Sequence, residues 1–151
     1  MHSTPPSRPF AQRVAQPNRL GTIRILLADD SPSFLAAVWS CLHLWPIAKI
    51  IDEARDGEEA LIKARQSRPD LILLDIGMPK VNGLDVAKTI QSWENPPRIV
   101  FLSMNDNEAY RAAAQELGVF GFISKSDFVV ELPRILERMP VPQDNDWKAT
   151  R

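Results

Sequence analysis

Short apolar runs alternate with longer segments of helical periodicity along the central part of the chain. The runs are rich in isoleucine, leucine and valine, which is typical of strands buried in a parallel sheet. In the intervening segments apolar residues recur at helical spacing, as on helices that lie against a sheet. The pattern predicts an α/β domain with strands at 23–28, 48–53, 70–75, 98–102 and 119–123, and helices at 32–44, 57–67, 83–93, 106–117 and 128–138.

Several predicted helix boundaries carry recognisable local chemistry. Ser31 followed by Pro32 is typical of an N-cap with proline at the first helical position. Asp56 precedes a helix that has two acidic residues in its first turn. The last helix is less regular, because Pro133 removes a backbone hydrogen bond if it lies in a helix interior. We therefore expect this helix to begin late, near Val130, or to be kinked.

Composition changes at both ends of the chain. The first nineteen residues hold four prolines and three arginines but no acidic residue, so we predict a disordered tail over 1–21. A second proline-containing segment predicts a disordered tail over 140–151. The folded domain is thus predicted to span 22–139, which is long enough to bury a substantial core.

Charge and composition narrow the class of protein. The chain has 151 residues and a formal net charge of −1, which argues against nucleic acid as its direct partner. Its single cysteine, Cys41, cannot form an internal disulfide. No apolar stretch reaches the roughly 20 residues that span a bilayer, and the amino terminus lacks the apolar core of a secretory signal. We expect a cytoplasmic protein that does not bind membranes.

Polar side chains stand where four of the predicted strands end. They are Asp29 and Asp30, then Asp75, Ser103 and Lys125. The carboxyl ends of parallel strands meet at one edge of a sheet, where ligands bind. Three carboxylates suit a hard cation such as Mg²⁺, which in turn suits phosphoryl oxygens. A hydroxyl and an ammonium beside them favour phosphoryl transfer, and the central carboxylate, Asp75, is the best candidate for the nucleophile.

The order of these residues and their neighbours resembles the receiver domain of two-component response regulators, the CheY-like family. The resemblance covers residues 22–138 and implies a flavodoxin-like (βα)5 fold, with strand order 2-1-3-4-5 and helices on both faces of the sheet. The motifs that carry it are Asp29-Asp30, Asp75 with Met78-Pro79 and Asn82-Gly83-Leu84, Leu102-Ser103, and Phe122-Ile123-Ser124-Lys125.

The resemblance implies that Asp75 is phosphorylated from a phosphohistidine on a sensor histidine kinase or a histidine phosphotransfer protein. It also implies that Mg²⁺ is held by Asp30, Asp75 and the backbone carbonyl of Gly77, with Asp29 acting mainly through water. In such a domain the protein accepts and loses its own phosphoryl group and is not otherwise an enzyme.

The resemblance further assigns the response to phosphorylation. Ser103 and Lys125 would hold the phosphoryl oxygens, and Ser103 and Phe122 would form the switch. The signal would then pass to an output protein, or to a second copy of the chain in a homodimer. The binding face would combine the fourth helix, the fifth strand and the fifth helix, and would include Tyr110, Arg111, Gln115, Phe120 and the region of Pro133.

The chain departs from the family pattern in two respects. Ser126 replaces the proline that commonly follows the lysine, so we expect a trans peptide bond there. The stretch from Leu102 to Lys125 is most similar to receivers attached to helix-turn-helix transcription factors of the LuxR or NarL type. Residues 140–151 are too few for a helix-turn-helix. We therefore expect a receiver with no attached DNA-binding domain; the alternative is a receiver fragment of a longer transcriptional regulator.

Each candidate residue also has a purely structural interpretation, and the complete site has alternative functions. Taken singly, the aspartates fit helix caps or turns, Lys125 fits a solvated surface residue, and Phe122 fits the core. Two other functions are alternatives to a phosphoaccepting receiver. One is a Mg²⁺-dependent phosphatase, which usually has a second acid where Gly77 stands. The other is an interaction domain that works without phosphorylation.

Overall fold

Strands and helices alternate through the whole part of the chain that the computed structural model describes, residues 21–104 and 107–140. Both predicted tails lie almost entirely outside these residues. A 3-10 turn at Lys125–Asp127 follows the last strand. The remaining elements, in chain order, are β1 (Ile23–Ala28), α1 (Pro32–Leu42), β2 (Ala48–Ala54), α2 (Gly57–Ser67), β3 (Leu71–Asp75), α3 (Gly83–Gln91), β4 (Arg98–Ser103), α4 (Glu108–Leu117), β5 (Gly121–Ser124) and α5 (Phe128–Arg138).

All neighbouring strands in the sheet are parallel, and their order is β2-β1-β3-β4-β5. This confirms the predicted flavodoxin-like topology. The register aligns the strand ends: Ala28 pairs with Leu74, and Asp75 pairs with Leu102. The residues that follow β1, β3 and β5 therefore emerge at one edge of the sheet, together with Ser103 at the end of β4.

The core lies in two layers, because alternate residues of each buried strand point to opposite faces of the sheet. On one face, Leu27 and Leu73 pack with the apolar sides of α1 and α5. On the other face, Leu26 and Ile72 pack with α2, α3 and α4. Every residue of β3 is buried, which explains the apolar run at 71–74 and confirms helices on both faces.

The helix α5 spans the predicted residues 128–138, but it lacks the late start that Pro133 led us to expect. We expected a late start near Val130 or a kink, but the helix begins at Phe128 and runs through Pro133. The late start was wrong. Three buried residues of α5, at 132, 135 and 136, anchor the helix to the sheet. This apolar packing outweighs the hydrogen bond that proline removes, which the local sequence pattern does not reveal.

Two other boundaries shift for local reasons. Helix α1 ends at Leu42, because the amides of Leu44 and Trp45 bond to carbonyls only three residues back. Strand β5 begins at Gly121 instead of 119. Gly118 has a φ of 68° and caps α4, and the amide of Val119 bonds back to Ala114, so the chain is still leaving the helix there.

Two glycines allow the loop after β3 to pack tightly beside the sheet edge. A Cβ on Gly83 would lie 2.5 Å from the carbonyl oxygen of Asp75, and one on Gly57 would lie 1.8 Å from the carbonyl oxygen of Val81. Only glycine fits at such approaches between backbone segments. The start of α3 is thereby held directly against the end of β3, which fixes the loop that follows Asp75.

Among the described residues, none of the helices combines the length and apolar character that crossing a bilayer requires.

Candidate functional site

The strand-end residues singled out from the sequence come together at the carboxyl edge of the sheet. Asp29 and Asp30 follow β1, Asp75 ends β3, Ser103 ends β4, and Lys125 follows β5. A cavity of about 670 Å³ lies over them and is lined by Asp30, Asp75, Ser103 and Lys125. Asp29 lies below, fully buried.

Three carboxylates form the centre of this site. One oxygen from each of Asp29, Asp30 and Asp75 lies within 4.8 Å of the others. Asp29 and Asp75 are buried, whereas Asp30 is exposed. Three negative charges at this separation repel one another, and burial of two of them strengthens the repulsion. Such a donor set fits a hard divalent cation.

Asp75 is held from both sides. Its Oδ1 accepts a hydrogen bond from the amide of Gly77 at 3.0 Å, and its Oδ2 lies 3.4 Å from the Nζ of Lys125. Burial raises the pKa of Asp75, and the negative charge of Asp29 raises it further. The hydrogen bond from Gly77 and the charge of Lys125 act in the opposite direction but do not cancel the effect of burial.

Lys125 contacts both buried carboxylates. Its Nζ lies 2.6 Å from Oδ2 of Asp29 and 3.4 Å from Oδ2 of Asp75, and the lysine itself is buried. Oδ1 of Asp29 accepts a hydrogen bond from the amide of Ser31 at 2.8 Å. Oδ2 of Asp29 forms the ion pair but receives no hydrogen bond of normal geometry. One ammonium thus faces two carboxylates, and one buried oxygen retains capacity for a cation.

The two predicted switch residues differ in position. Ser103 is buried and lines the cavity. Phe122 is partly buried in β5, where it pairs with Phe101, and it is not among the residues that line the cavity. The guanidinium of Arg111 lies 4.6 Å from the centre of the Phe122 ring. The peptide bond between Lys125 and Ser126 is trans, as predicted.

The structure adds residues to the site that the sequence did not single out. Phe34, Met104 and Tyr110 line the cavity, and the Nζ of Lys125 lies 4.7 Å from the centre of the Phe34 ring. Phe34 belongs to the apolar pattern of α1, and that pattern alone predicts only core packing. Its contact with a residue 91 positions later depends on how the sheet brings α1 and β5 together.

A doubly wound parallel sheet with acidic residues at its carboxyl edge defines a flavodoxin-like α/β domain. Residues 25–137 match the family model of the response regulator receiver domain. The chain therefore belongs to the receiver domain family of two-component response regulators, as its motifs predicted.

Curated relatives place this domain in larger proteins. The chain is 34% identical over 110 residues to a probable transcriptional regulatory protein NarL of Mycobacterium tuberculosis, covering 73% of the chain and 51% of the relative. It is 36% identical over 104 residues to protein-glutamate methylesterase/protein-glutamine glutaminase 3 of Syntrophomonas wolfei, covering 68% of the chain and 30% of the relative. The chain spans about half or less of these relatives.

Solved structures show the same fold. The receiver domain of NarL from Mycobacterium tuberculosis superposes with a TM-score of 0.72 at 32% identity, covering 77% of this chain and 94% of that one. The response regulator domain of CheB from Thermotoga maritima gives a TM-score of 0.70 at 29% identity, covering 78% and 96%. These likenesses support the receiver fold over nearly all of the described residues.

Proposed function

We propose that this domain accepts a phosphoryl group on Asp75 from a phosphohistidine donor, in a Mg²⁺-dependent reaction, and then signals by binding another protein. The observation that carries the proposal is the buried grouping of Asp29, Asp75 and Lys125 beside the exposed Asp30, in one site of a receiver fold. The donor would be a sensor histidine kinase or a histidine phosphotransfer protein.

In the proposed transfer, a carboxylate oxygen of Asp75 forms a bond to phosphorus as the bond between phosphorus and the donor nitrogen breaks. The leaving electron pair stays on the donor imidazole, which then takes its proton from solvent. Once its carboxyl group is ionised, Asp75 needs no general base, because the attacking oxygen then carries no proton that must be removed. The hydrogen bond from Gly77 to Oδ1 holds the attacking group in place.

The residues that would hold Mg²⁺ are Asp29, Asp30, Asp75 and the carbonyl of Gly77. The mutual approach of the three carboxylates, and the oxygen of Asp29 that lacks a hydrogen bond, fit this role. When bound, the cation supplies positive charge that neutralises the carboxylates and the transferring phosphoryl oxygens.

Lys125 and Ser103 would recognise the product. Lys125 already contacts two carboxylates, so its ammonium lies where a phosphoryl oxygen on Asp75 would need a positive partner. Ser103, at the end of the neighbouring strand and on the same cavity, would donate its hydroxyl hydrogen to another phosphoryl oxygen. Apart from gaining and losing its own phosphoryl group, the domain would perform no catalysis.

Intact-mass measurement after incubation with acetyl phosphate tests the phosphoacceptor. We expect wild-type protein with Mg²⁺ to gain the mass of one phosphoryl group, and to gain none in EDTA. Asp75→Ala should gain none, whereas Asp85→Ala, which removes an exposed carboxylate of α3, should match the wild type. Wild type that stays unmodified over a range of Mg²⁺ concentrations would refute the proposal.

Signalling through a protein partner needs a surface that responds to the site. We propose the face of α4, β5 and α5, because Phe122 and Arg111 lie on it in mutual contact, one strand away from Ser103. We propose that this surface has two conformations, and that the charge of a phosphoryl group on Asp75 favours one of them. Light scattering with and without beryllofluoride measures homodimer formation, and a pull-down with both forms measures partner binding. Association unchanged in both assays contradicts this part of the proposal.

A further inference from the structure

The ammonium of Lys125 lies between two kinds of negative surface. On one side are the carboxylates of Asp29 and Asp75, at 2.6 and 3.4 Å. The face of the Phe34 ring also contacts the ammonium, with 4.7 Å between Nζ and the ring centre. A cation within about 6 Å of a ring centre is attracted by the negative face of the ring, and most strongly where water is excluded. Lys125 is 9% exposed, so this condition is met.

A second aromatic residue braces the first. The ring of Phe128 meets that of Phe34 edge to face, with 5.1 Å between the ring centres and 65° between the planes. Such T-shaped pairs have a preferred geometry, so Phe128 restricts the orientation of the Phe34 ring. Phe128 begins α5 and follows Lys125 by only three residues, across the 3-10 turn. The same short backbone segment therefore positions both Lys125 and Phe128.

We propose that Phe34 is a positioning residue for Lys125, holding its ammonium toward the carboxylates through the face of its ring. The consequence for phosphoryl transfer rests on the function proposed above. A lysine side chain has four flexible carbon–carbon torsions and retains several rotamers unless its surroundings restrict them. With Phe34 in place, the charge is held where a phosphoryl oxygen on Asp75 would meet it.

The ring contributes more than apolar volume. A leucine at 34 would fill much of the same space beside α5 but would offer the ammonium no negative face. A tyrosine would keep both the volume and the face, since its added hydroxyl group lies at the ring edge. The pair Phe34→Leu and Phe34→Tyr therefore separates positioning of the charge from packing of the core.

The experiment compares initial rates of phosphorylation by acetyl phosphate with Mg²⁺, followed by intact mass. We expect Phe34→Leu to be about fivefold slower than wild type, and Phe34→Tyr to stay within about twofold. Trp93→Leu is the control: the guanidinium of Arg65 lies 4.4 Å from the centre of that ring, at the amino end of the sheet and away from the proposed binding face. It should leave the rate unchanged. Equal rates for the leucine and tyrosine variants at position 34 would overturn the proposal.

A double-mutant cycle on unfolding free energy tests the contact itself, independently of any phosphorylation. Its members are wild type, Phe34→Leu, Lys125→Met and the double variant. We expect the two effects to be non-additive, and additivity would overturn the contact. If the cycle shows coupling but the wild type never takes up a phosphoryl group, the proposed function is refuted while the contact between Phe34 and Lys125 is supported. The two ideas therefore fail separately.

Discussion

The two ends of the sheet carry charge in opposite ways. At the carboxyl end, Asp29, Asp75 and Lys125 are buried together, with more negative than positive charge. At the amino end, two arginines contact neutral partners, namely backbone carbonyls and an aromatic ring. Arg24 donates to the carbonyls of Ser67 and Arg68, and the guanidinium of Arg65 lies over the ring of Trp93.

This difference distinguishes charged groups that are compatible with a stable fold from charged groups that are explained only by ligand binding. Arg24 and Arg65 at the amino end are partly solvated and have partners, so they cost the fold little. Two buried carboxylates at the carboxyl end share one ammonium, and a third lies beside them. Folding alone gains nothing from such an excess of negative charge. The excess is explained if the site binds a divalent cation, as proposed.

The largest effect should come from removing the ammonium of Lys125 from the cavity. Lys125→Met leaves Asp29 and Asp75 buried without a counter-charge, which should lower the unfolding free energy by about 3 kcal/mol in Mg²⁺-free buffer. Arg24→Met, at the amino end, loses two hydrogen bonds to carbonyls and should cost about 1 kcal/mol. Urea unfolding of both variants measures the difference. Similar losses would mean that the two ends are electrostatically alike.

A smaller effect should come from the backbone that holds the site. In Gly83→Ala the new Cβ meets the carbonyl oxygen of Asp75 at 2.5 Å, which should cost about 2 kcal/mol and displace the end of β3. Gly77→Ala is the natural control, because its nearest neighbour would be Oδ1 of Asp75 at an ordinary 3.8 Å. We expect Gly77→Ala to stay within about 0.5 kcal/mol of wild type. Thermal unfolding of both variants distinguishes the two positions.

A third comparison removes one charge from each end. The pKa of Asp75 is raised by burial, so ionising this carboxyl group disfavours the folded state. Wild-type stability should therefore fall as pH rises from the ordinary carboxyl range through the raised pKa. Asp75→Asn lacks this loss and should be more stable by about 1 kcal/mol at neutral pH without Mg²⁺. Its advantage should shrink as the pH is lowered.

The control for that comparison is Asp70→Asn at the amino end. Asp70 accepts a hydrogen bond from the amide of Arg24 at 2.8 Å, and an asparagine oxygen can accept the same bond. We expect little change in stability. Added Mg²⁺ should raise the melting temperature of wild type and Asp70→Asn but not of Asp75→Asn. An Asp75→Asn variant less stable than wild type at neutral pH would show that Lys125 outweighs burial and repulsion.

Much of the fold and of the acidic cluster followed from the sequence. Apolar runs marked the strands because buried parallel strands must be apolar on both faces, and the polar residue after each run marked the sheet edge. Asp75 and Lys125 are 50 positions apart, yet each stands at a strand end, so topology alone predicts that they meet. Their contact at 3.4 Å agrees with that reasoning.

What the sequence could not supply depends on packing between distant elements. The periodicity placed the last helix at 128–138, as observed, but the late start expected from Pro133 was wrong, because the packing of the apolar face of α5, which compensates for Pro133, is tertiary. The contact of Phe34 with Lys125 has no local pattern either, since an aromatic residue on an apolar helix face predicts only core. In both cases the contacting residues are distant in sequence, so neither local propensity nor residue spacing predicts the contact.

The smallest expected effect belongs to the amino end and sharpens the comparison most directly. Arg65 is exposed and stacks over Trp93 at 4.4 Å, beside a groove of about 1120 Å³. Arg65→Ala removes this contact and should lower the unfolding free energy by about 0.5 kcal/mol, the usual strength of a solvated cation–aromatic contact. Phosphorylation by acetyl phosphate should be unchanged, because Arg65 and Trp93 lie at the opposite end of the sheet from the site. A slowed phosphorylation rate at unchanged stability would mean that the ends of the sheet communicate, and the amino end would then have a role beyond folding.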